Sequence, residues 1–81
     1  MAKPLTDLTK DEEGIVVAIQ GGAEMKRRLR LLGVAEGRRV RKLSGLAFGG
    51  PVVILVDRAQ VAVGRGMAAR ILVNTDNAAP G

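Results

Sequence analysis

The 81-residue sequence predicts a mainly β domain, a small closed barrel of five strands with one short α-helix. Three observations carry that expectation. Five short runs, residues 15–20, 38–43, 52–56, 59–63 and 70–73, are β-branched or alternate between apolar and polar positions. Glycine-bearing or charged turns separate them at close spacing, as in small barrels. Only residues 23–32 carry helical spacing. Closure would also hide strand edges that otherwise invite aggregation.

The elements follow in chain order. Residues 4–8 (PLTDL) suit one helical turn, with Leu5 and Leu8 three apart on one side. A charged turn, KDEEG, ends at Gly14, and IVVAIQ reads as a strand stopped by Gly21 and Gly22. AEMKRRLRLL is the helix. Gly33 stands where a left-handed cap belongs, and Val34 after it can fold back onto the last turn. RRVRKL is a strand with Val40 facing in and a solvated basic face opposite. SGLAFGGP is a glycine-rich loop, and VVILV is apolar on both faces, as in a central strand. Asp57 and Arg58 form a tight connection to AQVAV, whose Ala59, Val61 and Val63 share a face. GRGMAA gives a second helical turn, and RILV is the last strand. Residues 1–74 form the domain, and residues 75–81, without a large apolar side chain, a disordered C-terminal tail.

Composition narrows function by exclusion. There is no Cys and no His, which removes disulfides, the usual zinc ligands and the commonest general base. Ser44 has no His to activate it, so the chain reads as a non-enzyme without cofactor. Asp11, Glu12 and Glu13 form the sole acidic cluster; without His or Cys, selective ferrous ion binding is not expected there, and the cluster reads as a solvated turn. Gly64-x-Gly66-x-x-Ala69 mimics a dinucleotide-binding turn, but too little chain follows for the second parallel strand and acidic residue that such a site needs. LAFGGP lacks the Gly-Lys-Ser/Thr of a phosphate loop. No signal-peptide pattern is visible, and PVVILV is far shorter than the roughly 20 residues of a membrane helix, so a soluble cytoplasmic protein is expected.

The net charge of +5 favours an anionic partner. On a helix at about 100° per residue, Met25, Leu29 and Leu32 fall within about 60° of one another and form the core stripe. Lys26, Arg27 and Arg30 lie on the far side, while Leu31 falls between Arg27 and Arg28. Two readings stay open. In one, a neighbouring loop covers Leu31 and the charges are a solvated face. In the other, a leucine ringed by arginines is a docking spot. Arg38, Arg39, Arg41 and Lys42 extend the basic surface, so a nucleic-acid-binding barrel, RNA- or ribosome-associated, is the alternative. Against it, Phe48 is the one aromatic, and single-strand binders stack bases on exposed rings. Phe48 itself either tucks onto the barrel or faces a partner.

The order of three segments resembles a known family. RRLRLLGVAEG supplies Arg28, Leu29, Leu32, Gly33, Val34 and Gly37; GGPVVILV supplies Gly50 and Pro51; MAARILV supplies Ala68, Ile71 and Val73. Together they are similar to the ferrous iron transport protein A (FeoA) family over residues 4–73. The chain departs from the family at Lys10-Asp11, where Pro-Gly is common, and at Asp57-Arg58, where Gly is common. The resemblance implies an SH3-like barrel with a helical insertion. It also implies an accessory role in bacterial ferrous iron uptake beside the transporter FeoB, whose cytoplasmic part is a GTP-binding domain. The partner surface expected from this is Arg27, Arg28, Arg30, Leu31 and Phe48, with no metal site. The same small domain occurs fused to iron- or manganese-dependent repressors, where it makes protein contacts.

Overall fold

Six strands, not five, make up the sheet. The structure, a computed structural model, describes residues 1–44 and 50–76. Strand β1 is Ala2–Pro4, β2 Glu13–Ile19, β3 Arg39–Ser44, β4 Val52–Val56, β5 Ala59–Val63 and β6 Ile71–Asn74. They pair antiparallel in the order β1-β6-β2-β3-β4-β5. A single-turn 3-10 helix, Leu5–Asp7, follows β1; helix α1, Ala23–Leu31, is inserted between β2 and β3; and a four-residue turn of helix, α2 (Arg65–Ala68), links β5 to β6. The expected closed barrel is therefore corrected to an open sheet with β1 and β5 as its edges. Ala2–Pro4 adds onto β6 and takes the hydrogen-bonding edge that closure would need. At three residues and ending in a proline, which has no N–H, β1 is a poor template for a further strand.

Strand β2 shows why a run of β-branched residues did not reveal its inward face. Val16 and Ile19 are both buried although they are an odd number of residues apart. The register against β6 shifts between Val16 and Ala18, so Val17 is an extra residue, bulged out and exposed. Gly14, second in the same strand, sits where no side chain fits: a Cβ there would clash with Val73 Cγ1 and lie 2.9 Å from the Asn74 carbonyl oxygen.

The turns at Lys10-Asp11 and Asp57-Arg58 each place an aspartate in the left-handed region. Glu12 N–H donates to Thr9 O (3.1 Å), closing a β-turn with Lys10 and Asp11 at its centre. Asp11 has φ 69°, as the third residue of a type II turn requires. Asp57, first residue of the two-residue turn between β4 and β5, has φ 56°. Aspartate tolerates this left-handed region better than most residues with a Cβ.

The core is aliphatic and continuous. Leu5 and Leu8 from the N-terminal turn, Val16, Ile19, Leu29, Val34, Val40, the alternate residues of β4 and β5, Ala68, Ile71 and Val73 form one cluster. Ala59, expected beside Val61 and Val63, is exposed at the start of β5. Lys42 is the larger correction. Counted with the basic surface in the sequence, it shares the parity of Val40 and points inward, only 9% exposed. Its ammonium donates to Leu8 O at 2.7 Å and Thr6 O at 3.2 Å. Its own backbone bonds to Glu12 O and Asp11 N–H. One residue thus ties β3 to the N-terminal turn twice.

Candidate docking surface on the basic helix

Helix α1 starts after Gly22 with no side-chain cap, and Glu24 sits in its first turn where a negative charge suits the helix dipole. Its end is better defined. Gly33, at φ 91°, donates its N–H to Arg30 O (2.9 Å), and Val34 N–H reaches back to Leu29 O (2.9 Å). This is the Schellman arrangement, which needs a left-handed residue after the cap. Adding a side chain at Gly33 would bring strain and contact with Val56.

The reversal decides which leucines are inside. Leu29 and Val34 are fully buried and Met25 packs against the core. Leu32, assigned to the core stripe from helical spacing, is 49% exposed: the helix stops before it, and Val34 takes the core position. Leu31 is 75% exposed, so it is not covered by its surroundings. Two large aliphatic side chains thus stand on the surface at one helix end.

The arginines divide into two groups. Arg27 and Leu31, four apart, share a face. Arg27 donates to Glu24 Oε2 at 2.8 Å and Oε1 at 3.3 Å, and Arg28 lies 3.7 Å from the same carboxylate. The hydrogen bonds from Arg27, with the charge of Arg28, hold the Glu24 carboxyl below the usual glutamate range. Arg30 stands between Arg27 and Lys26 on the helix surface, and no ion pair engages Lys26 or Arg30 among the described residues. Lys26 and Arg30, with Ile19, Val34, Ala35 and Glu36, line a groove of about 290 Å³. Of the four residues expected at the partner surface of the helix, Arg27 and Arg28 share the Glu24 carboxylate beside Leu31, while Arg30 lines the groove. Phe48 lies outside the described residues, as does most of the loop expected at residues 44–51 and residues 77–81 of the expected tail.

Further along, Arg38, just before β3, pairs with Asp57 in the β4–β5 turn. Arg41 bonds Glu13 at 3.2 Å and Arg39 approaches the same carboxylate at 3.9 Å, as the β2–β3 register dictates. The acidic cluster is accordingly dispersed. Glu13 serves these arginines, while Glu12 accepts the Thr9 N–H at 2.9 Å and pairs with Lys3 at 3.0 Å. Among the described residues no group of three carboxylates, His or Cys is placed to hold a metal ion. Among them, too, no helix is long and apolar enough to cross a membrane.

Sequence reasoning missed Lys26 as a groove residue and Lys42 as a clasp. The parity of Val40 and Lys42 could have revealed the second. Nothing local reveals the first, because the groove exists only once the chain reverses at Gly33.

A family model described as the FeoA domain matches residues 3–75. No curated protein matches the chain. Among solved structures it is similar to a crystal structure of an iron uptake regulatory protein (FeoA), 32% identical with a TM-score of 0.82 over 91% of this chain and 96% of that one. It is 25% identical, TM-score 0.82, to a manganese-dependent transcriptional repressor, over 91% of this chain but 41% of that one. A FeoA protein from Chlorobium tepidum shares 22% identity at a TM-score of 0.82, over 96% of this chain and 74% of that one, a likeness of fold alone.

Proposed function

Because the chain belongs to the FeoA domain family, with its SH3-like fold, we propose that it is a small cytoplasmic accessory and regulatory protein of bacterial ferrous iron uptake. It acts by docking onto the cytoplasmic part of the transporter FeoB and performs no chemistry of its own. The observation that carries this reading is Leu31, three-quarters exposed beside half-exposed Leu32 and flanked by Arg27 and Arg28. A leucine held outward on a helix whose other face is locked into the core is pre-organised for a partner. Burying most of its side chain is worth about 1–2 kcal/mol, roughly tenfold in affinity. The arginines around it are the residue type enriched at such contacts.

The nucleic-acid alternative has less support. Arg38, Arg39 and Arg41 are each engaged with a carboxylate on the same surface, and the sequence offers a single aromatic side chain. The test is calorimetric titration of the FeoB cytoplasmic GTP-binding domain with the intact protein and with Leu31→Asp. The variant leaves the core untouched, so it should fold normally and bind at least about tenfold more weakly. Equal affinity for the two proteins would remove Leu31 as the anchor. Absence of binding by the unmodified protein would remove the transporter as partner, and tight, steeply salt-dependent RNA binding would put the alternative in its place.

A further inference from the structure

We infer that the groove between α1 and residues 34–36 receives an acidic segment of the partner protein, setting a carboxylate between Lys26 and Arg30 and a neighbouring aliphatic side chain over Ala35 and the edge of Ile19. The inference rests on the docking role proposed above and specifies what the partner presents.

Charge is the first argument. Lys26 and Arg30 are four apart, so their side chains neighbour each other along the helix, and both line the groove. The one helix carboxylate, Glu24, is taken up by Arg27 and Arg28. Glu36 also lines the groove but comes within ion-pair distance of neither cation. The groove therefore holds two cations against one carboxylate. An incoming carboxylate has no intramolecular competitor to displace there, as it would have at Arg27 and Arg28.

Size and floor select the occupant. At about 290 Å³ the groove lies at or below the lower limit of the ~300–1,000 Å³ range of small-molecule and cofactor sites. It is large enough for one peptide side chain and its flanking backbone. Ile19 and Val34 at its floor are buried core residues, and Val34 is fixed by the hydrogen bond to Leu29 O. Little of that floor is open beyond Ala35 and the edge of Ile19, which suffices for one small aliphatic contact beside the two cations. Glu36 at the rim can accept a backbone N–H from the bound segment, which a peptide supplies and a nucleic acid does not.

The test uses the full chain, labelled with ¹⁵N, and two synthetic peptides, one containing Glu-Leu-Glu-Glu and one containing Gln-Leu-Gln-Gln. The acidic peptide should shift the amide resonances of Ile19, Lys26, Arg30, Val34 and Ala35. The neutral peptide should bind roughly tenfold or more weakly, the usual margin for hydrogen bonds to a charged group. Lys26→Glu combined with Arg30→Glu should abolish the shifts, with an unchanged thermal transition showing that the variant folds. Arg27→Gln combined with Arg28→Gln should alter affinity by less than about threefold, as expected of charges outside the contact. Shifts elsewhere, equal binding of both peptides, no response at millimolar peptide, or a groove response to an RNA oligonucleotide alone would each overturn the inference. The FeoB cytoplasmic domain is titrated separately. If it binds the Lys26→Glu, Arg30→Glu variant as well as the unmodified chain, the groove assignment fails while the accessory role survives. If the acidic peptide occupies the groove and that domain does not bind, the groove stands and the transporter is not its partner.

Discussion

Replacing Lys42 by methionine keeps an unbranched stem of similar length and deletes the ammonium. The Leu8 carbonyl, buried, then loses the 2.7 Å donor it has from Nζ, and the Thr6 carbonyl, partly buried, loses one at 3.2 Å. A buried acceptor left without a partner costs about 1–3 kcal/mol. Thr6 O can regain water, so its share is near the low end, about 0.5–1 kcal/mol. Against these stands the relief of the desolvated ammonium. That relief is a small part of the cost for a fully buried ion, because Lys42 keeps slight exposure and two acceptors. The balance is a net loss of about 2 kcal/mol, a large fraction of the ~4–12 kcal/mol expected for a domain of this length. At roughly 4–8 °C per kcal/mol, the melting temperature should fall by about 8–16 °C. Scanning calorimetry measures the fall. Hydrogen exchange localises it, since Leu8 N–H, bonded to Leu5 O, should lose protection before the sheet amides do. A melting temperature unchanged or raised would refute the reasoning, because it would mean that the ammonium costs at least as much to bury as its two hydrogen bonds return.

Three further outcomes are expected. Gly14→Ala should destabilise by about 1–3 kcal/mol in urea titration, because its Cβ meets Val73 and the Asn74 carbonyl in a sheet with no slack; a neutral result would show that β6 can shift. Lys10→Pro should stabilise by about 0.4–1 kcal/mol, because proline suits the second position of a type II turn and the Lys10 N–H closes none of that turn's bonds; a lower urea midpoint would rule out that turn geometry. The Glu12 carboxyl is held below the ordinary glutamate value of 4.5, first by the Thr9 N–H and then by Lys3. Its contribution to stability is therefore present above that value and lost as the pH falls through the lowered one. Glu12→Gln should flatten the acid limb of the stability curve measured between these limits, and an unchanged limb would mean that other carboxylates govern it.

The pattern of the sequence was enough for the strands β2 to β6, the helix and its end. Each rests on local rules: β-branched runs, turns between them, and a glycine where a left-handed residue must follow a helix. The same rules located Leu31 and the arginines around it, because helical spacing alone sets their angular positions. Strand β1 escaped notice because three residues carry no periodicity; it exists through pairing with β6, far along the chain. The order of inward residues in β2 escaped for a related reason, since a bulge resets the alternation and is itself fixed by the register against β6.

What the sequence by itself determined was a small aliphatic β domain carrying one basic helix, with neither Cys nor His. What only the tertiary structure decided was whether the sheet closes, that Lys42 turns inward to hold the N-terminal turn, that Leu32 yields its core place to Val34, and that Lys26 and Arg30 share a groove. The division has one physical cause. Propensity and periodicity act over a few residues, whereas edge pairing, inward lysines and grooves arise from segments distant in the chain that meet only when the core is formed.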